Sequence, residues 1–316
     1  MIEFIKKEPA LIMMVGLPAS GKSHCSELMK EENKSIVIHS SDNLRKELYD
    51  DVNSQEHNGE LFNELHKRIR ADLKAGKTVI YDATNINKRR RTAFLKSINC
   101  VKYCILMLTP YEQCLELNRE RDKSVPDEVI SRMYKNFQPP SLDEGFEDIV
   151  LGYHPCFLEN YILGKFFYGT PGVKEGACSI EHENKHHTKT IGNHCLAVYG
   201  NLAKNHPRDY VLQVAGLLHD VGKPFTKTNV KPDGTVDTDY HYYNHQNVGA
   251  YDSFFYTYLL RMKPIEIIDV ANIIYNHMLP FAWQKDKDIE EKHKKRLGSK
   301  MYKYIKLLHE ADIAES

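Results

Sequence analysis

Two regimes of hydrophobic patterning divide this chain. Up to about residue 150, short apolar runs alternate with amphipathic stretches. The runs at 11–15, 35–39, 78–81 and 101–108 are short and nearly continuous, which predicts strands buried on both faces. A weaker run at 146–151 predicts a fifth. Residues 23–31, 43–49, 60–75, 87–98, 111–119 and 127–137 read as helices between them. The clearest carries Leu61, Leu65, Ile69 and Leu73 at four-residue steps, a single helix face suited to packing on a sheet. Strands alternating with helices predict an α/β unit built on a parallel sheet. From residue 182 onward the pattern is helical, which predicts an all-α unit. Residues 153–179 follow neither period but are rich in aromatics and glycine, so they predict a packed connection. The expected domains are 1–175 and 176–316.

Composition adds limits. A chain of 316 residues exceeds what one core usually serves, in agreement with two domains. It is 41% hydrophobic and 27% charged, as globular proteins are. The formal net charge is zero, so no global basic field announces nucleic acid. Seven cysteines without a CxxC pair argue for a reducing compartment and against a disulfide scaffold. No apolar run approaches the ~18 residues of a membrane span, and residues 1–8 lack the apolar segment of a signal peptide. A cytoplasmic location, away from membranes, is expected.

The first chemistry lies directly after the first predicted strand: Gly16-Leu17-Pro18-Ala19-Ser20-Gly21-Lys22-Ser23. This is the GxxxxGKS spacing of a P-loop, and a helix follows it. Gly16 and Gly21 let the backbone turn so that several N–H groups, with Ser20 among them, converge on one anion. The helix N-terminus adds partial positive charge. Lys22 is placed to reach the β- and γ-phosphates of a nucleoside triphosphate such as ATP, and Ser23 to bind Mg²⁺.

Other candidates sit where strands end. Asp42, just after the second strand, has two readings: an N-cap of the next helix, or a general base for an attacking hydroxyl. Asp82 ends the third strand in the position of an acidic residue that helps hold Mg²⁺. The basic run Lys88–Arg91 is either a solvated face or a contact for a phosphate backbone. Arg119, Arg121 and Lys123 lie between two helices, as in an ordinary exposed loop or a lid over the triphosphate, where arginine suits a transferred phosphoryl group.

GLPASGKS, SSDNLRKEL, DATNINKRRRTAF and RERDKSVPDEVISRMYKNFQPP, in that order, resemble the polynucleotide 5′-kinase family over residues 11 to about 140. The resemblance implies that Asp42 is the general base and that Arg45 binds a phosphate of the acceptor strand. It also implies that Arg119 and Arg121 are the lid arginines.

The second half is rich in histidine: twelve of the sixteen lie from His154 onward. His194, His219-Asp220, His245, His277 and Asp312 each sit in or beside a helical pattern. An ionisable pair such as His219-Asp220 inside the apolar run 213–221 is costly unless paired or metal-bound. Neighbouring helical residues point about 100° apart, so the pair either flanks one ion or lets Asp220 bridge two. Imidazole and carboxylate without thiolate suit Mn, Fe, Co, Ni or Zn. GNHCLAVYGNL, LLHDVGKP, YYNHQNVGA, IIYNHM and HEADIAE resemble the HD phosphohydrolase superfamily. That resemblance implies a ligand set of His194, His219, Asp220 and Asp312, with His245 and His277 as the extra histidines of two-metal members. It places Lys223 near the scissile phosphate and gives His187 and Arg261 secondary positions.

The fold expected is thus a P-loop α/β domain with a parallel sheet, followed by an all-α HD-superfamily domain. Together the two resemblances imply an end-healing enzyme acting on RNA or DNA. It would phosphorylate 5′-OH ends and remove 2′,3′-cyclic phosphate, or 2′- or 3′-phosphate, upstream of a ligase. Two other readings stay open: a nucleoside or metabolite kinase joined to a nucleotide phosphohydrolase, and a nucleotide-gated sensor without turnover.

Overall fold

The computed structural model describes residues 3–50, 56–121, 124–154, 158–170, 175–183 and 188–316. They form two compact units: Met1–Tyr134 with Pro140–Cys156, and Lys135–Pro139 with Phe157–Ser316. The division thus falls ahead of the boundary expected near residue 175. Aromatic stacking accounts for this: Tyr161 packs on Phe255 and Tyr256 at ring-centroid distances of 4.6 and 5.3 Å. Phe137 likewise packs edge-on against Tyr251 at 4.9 Å, which draws Lys135–Pro139 into the second unit.

The first unit is a five-stranded sheet in the order β2-β3-β1-β4-β5, with every pairing parallel. The strands are β1 (Ala10–Val15), β2 (Val37–Ser40), β3 (Val79–Asp82), β4 (Val101–Leu108) and β5 (Asp148–Tyr153). All six residues of β1 are fully buried, as a central strand covered on both faces must be. The helices are α1 (Lys22–Glu32), α2 (Ser41–Tyr49), α3 (Asn58–Lys74), α4 (Lys88–Leu95), α5 (Tyr111–Arg119) and α6 (Asp127–Lys135). One sheet face gathers Ala10, Ile12, Met14, Ile80 and Ile105 around Met29 of α1. The leucine face of α3 is buried as its spacing requires, with Leu61, Leu65, Ile69 and Leu73 all inside.

The second unit is mainly helical: α7 (Leu163–Tyr168), α8 (Ile191–Asn205), α9 (Tyr210–Leu218), α10 (Lys223–Thr226), α11 (His245–Leu259), α12 (Pro264–Asn276), α13 (Pro280–Trp283) and α14 (Lys287–Ala314). The left-handed Gly298 (φ 74°) interrupts α14. α11 is the buried helix of the unit, with His245 and the run from Asn247 to Thr257 all inside. The unit is not purely helical. An antiparallel hairpin, β6 (Lys227–Val230) and β7 (Val236–Tyr242), lies between α10 and α11. Its β7 sequence, VDTDYHY, sets Asp237, Asp239 and His241 on one face against Val236, Thr238, Tyr240 and Tyr242 on the other, so no continuous hydrophobic run announced it.

Candidate functional sites

In the first unit the chain leaves β1 at Gly16, where φ is 153°. A Cβ there would lie 2.7 Å from the Met107 carbonyl oxygen and 2.7 Å from Ser20 Oγ, so only glycine fits. The Gly16 amide donates to the Thr84 carbonyl at 3.0 Å, and Thr109 Oγ1 donates to the Ser20 carbonyl at 3.2 Å. Loops after β3 and β4 therefore hold the phosphate loop from two sides. Gly21 (φ 92°) precedes α1 in the left-handed region. Lys22 is buried, and its Nζ donates to the Leu17 carbonyl at 2.6 Å. Ser23 Oγ donates to Asp82 Oδ2 at 2.7 Å. Gly16, Ser20, Gly21, Lys22, Ser23 and Asp82 thus form one cradle at the carboxyl end of the sheet, where open α/β sheets bind ligands.

Burial pushes the Lys22 ammonium down, against Asp82 and Asp42, and Arg121 adds to the lowering. Burial also pushes the Asp82 carboxyl up, against Lys22 and the Ser23 hydroxyl. Two buried groups that each disfavour their own charge are steadied by one another, and a phosphate–magnesium pair offers each a further partner.

Asp42 is not the cap of α2. Ser40 is, its side chain accepting from the Asn43 amide at 3.5 Å. Asp42 stands in the first turn, 61% exposed at its side chain, and accepts from Arg45 Nη1 at 3.1 Å. Arg45 is buried and also donates to Asn58 Oδ1 at 3.1 Å. Arg121 is exposed and close enough to act on Lys22. Arg119 instead pairs with Asp127 at 2.5 Å. Lys123 lies outside the described residues. The run Lys88–Arg91 splits into two roles. Arg91 is fully buried and grips Glu144 with two bonds of 2.8 Å, while Lys88 reaches Asp143 at 3.1 Å. Arg89 and Arg90 remain exposed.

The second unit draws its candidate ligands from separate elements. His194 comes from α8, His219-Asp220 from the turn after α9, His245 from the start of α11, His277 from the end of α12 and Asp312 from α14. All six are buried. Their ligand atoms fall into two trios, His194–His219–Asp312 and Asp220–His245–His277, each within 4.8 Å. Asp220 faces both. Its Oδ2 is 3.3 Å from His219 Nε2 and 3.8 Å from His194 Nε2, and its Oδ1 is 3.4 Å from His245 Nε2 and 4.0 Å from His277 Nε2. Close backbone packing sets this spacing. A Cβ on Gly222 would meet the His245 carbonyl oxygen at 2.2 Å, so the turn can press onto α11 only as glycine.

Every imidazole is oriented in the same way. Nδ1 donates to a backbone carbonyl: Glu315 for His194, Gly216 for His219, Tyr242 for His245 and Ile274 for His277, at 3.3, 2.8, 2.8 and 2.6 Å. That fixes the tautomer with the Nε2 lone pair turned inward, as a metal ligand needs. Burial lowers His277 to about 3 and also lowers His245, so both are neutral ligands at neutral pH. Around Asp220 and Asp312 burial disfavours charge, but the facing histidines outweigh it and hold both carboxyls well below the usual range. Those carboxylates in turn raise His219 despite its burial, so a metal ion bound at its Nε2 would displace a proton there. The six residues fit two divalent transition ions by donor type and by grouping.

Lys223 Nζ lies 2.7 Å from Asp220 Oδ2, so this lysine joins the cluster. Arg261 does not: it is exposed and closes α11 with φ 56°. His187 lies outside the described residues. His182 was not singled out from sequence. Its Nε2 is 3.3 Å from Lys223 Nζ, although the two are 41 positions apart. The local density of histidine was the available signal, and it does not rank one histidine above another.

A parallel five-stranded sheet with a phosphate loop after its central strand, joined to a helical unit with a double His/Asp cluster, defines a P-loop kinase-like protein with an HD domain. Residues 11–140 match the AAA domain family AAA_33, and residues 191–315 match the HD domain family. The L-seryl-tRNA(Sec) kinase of Methanococcus maripaludis is 31% identical over 147 residues, which is 41% of this chain and 53% of that protein. The chain therefore spans about half the length of this curated relative. Similar solved structures include a chain of a Pnkp1/Rnl/Hen1 RNA repair complex, with 21% identity, a TM-score of 0.37, and coverage of 42% of this chain and 45% of that one. A fungal RNA kinase structure aligns at 12% identity with a TM-score of 0.34, covering 45% and 72%. Among the described residues, no helix is long and apolar enough to cross a membrane.

Proposed function

We propose that this chain heals broken RNA or DNA ends, phosphorylating a 5′-OH with ATP in its first unit and removing a terminal phosphate in its second. The observation that most supports the kinase reading is Asp42. It is an exposed carboxylate relieved of capping by Ser40, within the field of Lys22 and held by a buried arginine. On this reading the acceptor oxygen attacks the γ-phosphorus, its proton passes to Asp42, and the bond to the β-phosphate oxygen breaks to release ADP. Lys22 and Arg121 offset charge on the transferred group, and Arg45 binds a phosphate of the acceptor strand. Arg119 would serve the nucleotide after leaving Asp127. Ser23 and Asp82 would hold Mg²⁺, which shields the triphosphate when bound.

In the second unit His194, His219 and Asp312 would hold one transition ion, His245 and His277 the other, and Asp220 both. When bound, such a pair supplies Lewis acidity and a nucleophilic water to a phosphate ester. Lys223 would meet a phosphate oxygen. A ligase would act on the healed ends.

The Methanococcus maripaludis relative is named for seryl-tRNA(Sec), which favours a second reading in which the acceptor hydroxyl is carried on tRNA. One experiment separates them. RNA with a 5′-OH and a 2′,3′-cyclic phosphate is incubated with ATP, Mg²⁺ and a panel of Mn, Ni, Co and Zn, and both ends are read. Seryl-tRNA runs in parallel. The proposal expects labelled 5′ ends and opened or cleared 3′ ends. Arg45→Ala should raise KM for RNA more than KM for ATP. Phosphorylation of seryl-tRNA alone sinks the strand-end reading.

A further inference from the structure

His182 carries a contact that neither resemblance assigns. Its Nδ1 lies 2.8 Å from the Lys189 carbonyl, which accepts that N–H and turns the Nε2 lone pair onto the Lys223 ammonium at 3.3 Å. Tyr242 donates its hydroxyl to the His182 carbonyl, and its ring lies 5.5 Å from Lys223 Nζ. His182 is 1% exposed and Lys223 6%. The ammonium is thus caged by a carboxylate, an imidazole and an aromatic face.

We infer that His182 is a positioning residue, which holds the Lys223 ammonium against the double His/Asp cluster so that it meets an oxygen of the substrate's phosphate group. This rests on reading the second unit as a phosphohydrolase. The chemistry of the cage favours it. Asp220, at 2.7 Å, is the charged partner of Lys223 in this cage. With two cations drawing on its carboxylate, Asp220 has less to offer a third positive charge. His182, at 3.3 Å, then offers an acceptor that no metal ion draws on. A neutral imidazole orients the ammonium without cancelling its charge, whereas a second carboxylate would spend that charge before any phosphate arrived.

The test uses the full chain loaded with Mn²⁺ and inorganic phosphate as probe, with affinity read by calorimetry and Mn content by elemental analysis. His182→Leu removes the acceptor, and the expected result is a phosphate Kd raised about tenfold, in line with one charge-assisted hydrogen bond, with Mn content unchanged. His182→Gln, which restores an acceptor, should recover most of the loss. In a Lys223→Met background His182→Leu should add nothing, because its route to the ligand is gone. Loss of Mn in His182→Leu, or an equal effect in both backgrounds, overturns the inference. So does wild-type affinity in His182→Leu. A wild-type protein that holds Mn²⁺ but binds no phosphate and hydrolyses no ester overturns the phosphohydrolase reading itself, and the inference with it.

Discussion

Asp220→Asn keeps the shape of the residue and removes one negative charge at the point where both trios meet. The first trio would retain Asp312, and the second would be left with His245 and His277 and no carboxylate. Two ions per chain should therefore fall to one. Losing several kcal/mol of charge stabilisation at the reacting phosphate corresponds to a drop in hydrolysis of about a thousandfold or more. The metal-free protein should suffer too, because Asp220 is the buried partner of Lys223 at 2.7 Å and of His219 at 3.3 Å. Breaking a buried pair by removing one partner costs about 3–5 kcal/mol. For a unit of this size that lowers Tm by roughly 6–20 °C. The assays are elemental analysis of the loaded protein, phosphate release from RNA 3′ ends, and calorimetry of the chelator-treated chain. Kinase turnover on Mg²⁺ is the internal control and should persist. A variant that keeps two ions and wild-type hydrolysis would refute the bridging role of Asp220.

Three further outcomes follow from the first unit. Glu144→Gln leaves Arg91 charged and buried with half its ion pair, and should destabilise the unit by about 3–5 kcal/mol in urea titrations. Replacing the exposed Arg89 and Arg90 by Ala should stay within about 0.5 kcal/mol each. His66 lies stacked on Phe94 at 4.1 Å with its Nε2 3.1 Å from the Tyr81 hydroxyl, and burial pushes it from 6.5 down to about 4. Its folded pKa is below its unfolded one, so the unfolded chain binds the extra proton. The contribution of His66 is present above pH 6.5 and is lost as pH falls toward 4. His66→Phe should flatten that acid loss in thermal melts; an unchanged slope would show that His66 does not drive it.

The legible parts of the chain are those whose cause is local. The β1–loop–α1 segment reads off GLPASGKS because every residue of the cradle except Asp82 lies within eight consecutive positions. The strands read well because parallel strands covered on both faces need unbroken apolar runs. The hairpin of β6 and β7 did not, since its half-buried, largely polar strands leave no continuous hydrophobic signature. The basic run misled in the same way. Lys88–Arg91 has one composition but two fates, because Glu144 and Asp143, 53 and 55 positions further on, claim Arg91 and Lys88. Nothing within four residues of Arg91 announces that partner.

The double cluster shows where reading residues by type reaches its limit. Adjacent side chains at a helix end diverge by about 100°, which leaves His219-Asp220 free either to flank one ion or to span two. The choice is made by elements far along the chain. α8 and α14 bring His194 and Asp312 to 2.9 Å on one side, and α11 and α12 bring His245 and His277 to 3.2 Å on the other. Asp220 lies between them with one oxygen toward each. The glycine at 222 allows α11 that close, and the backbone carbonyls that take each Nδ1 proton decide which nitrogen faces inward. A carboxylate that faces both trios is therefore a property of the packing around the motif. The same His-Asp pair without Gly222 beneath it would have no second trio to face.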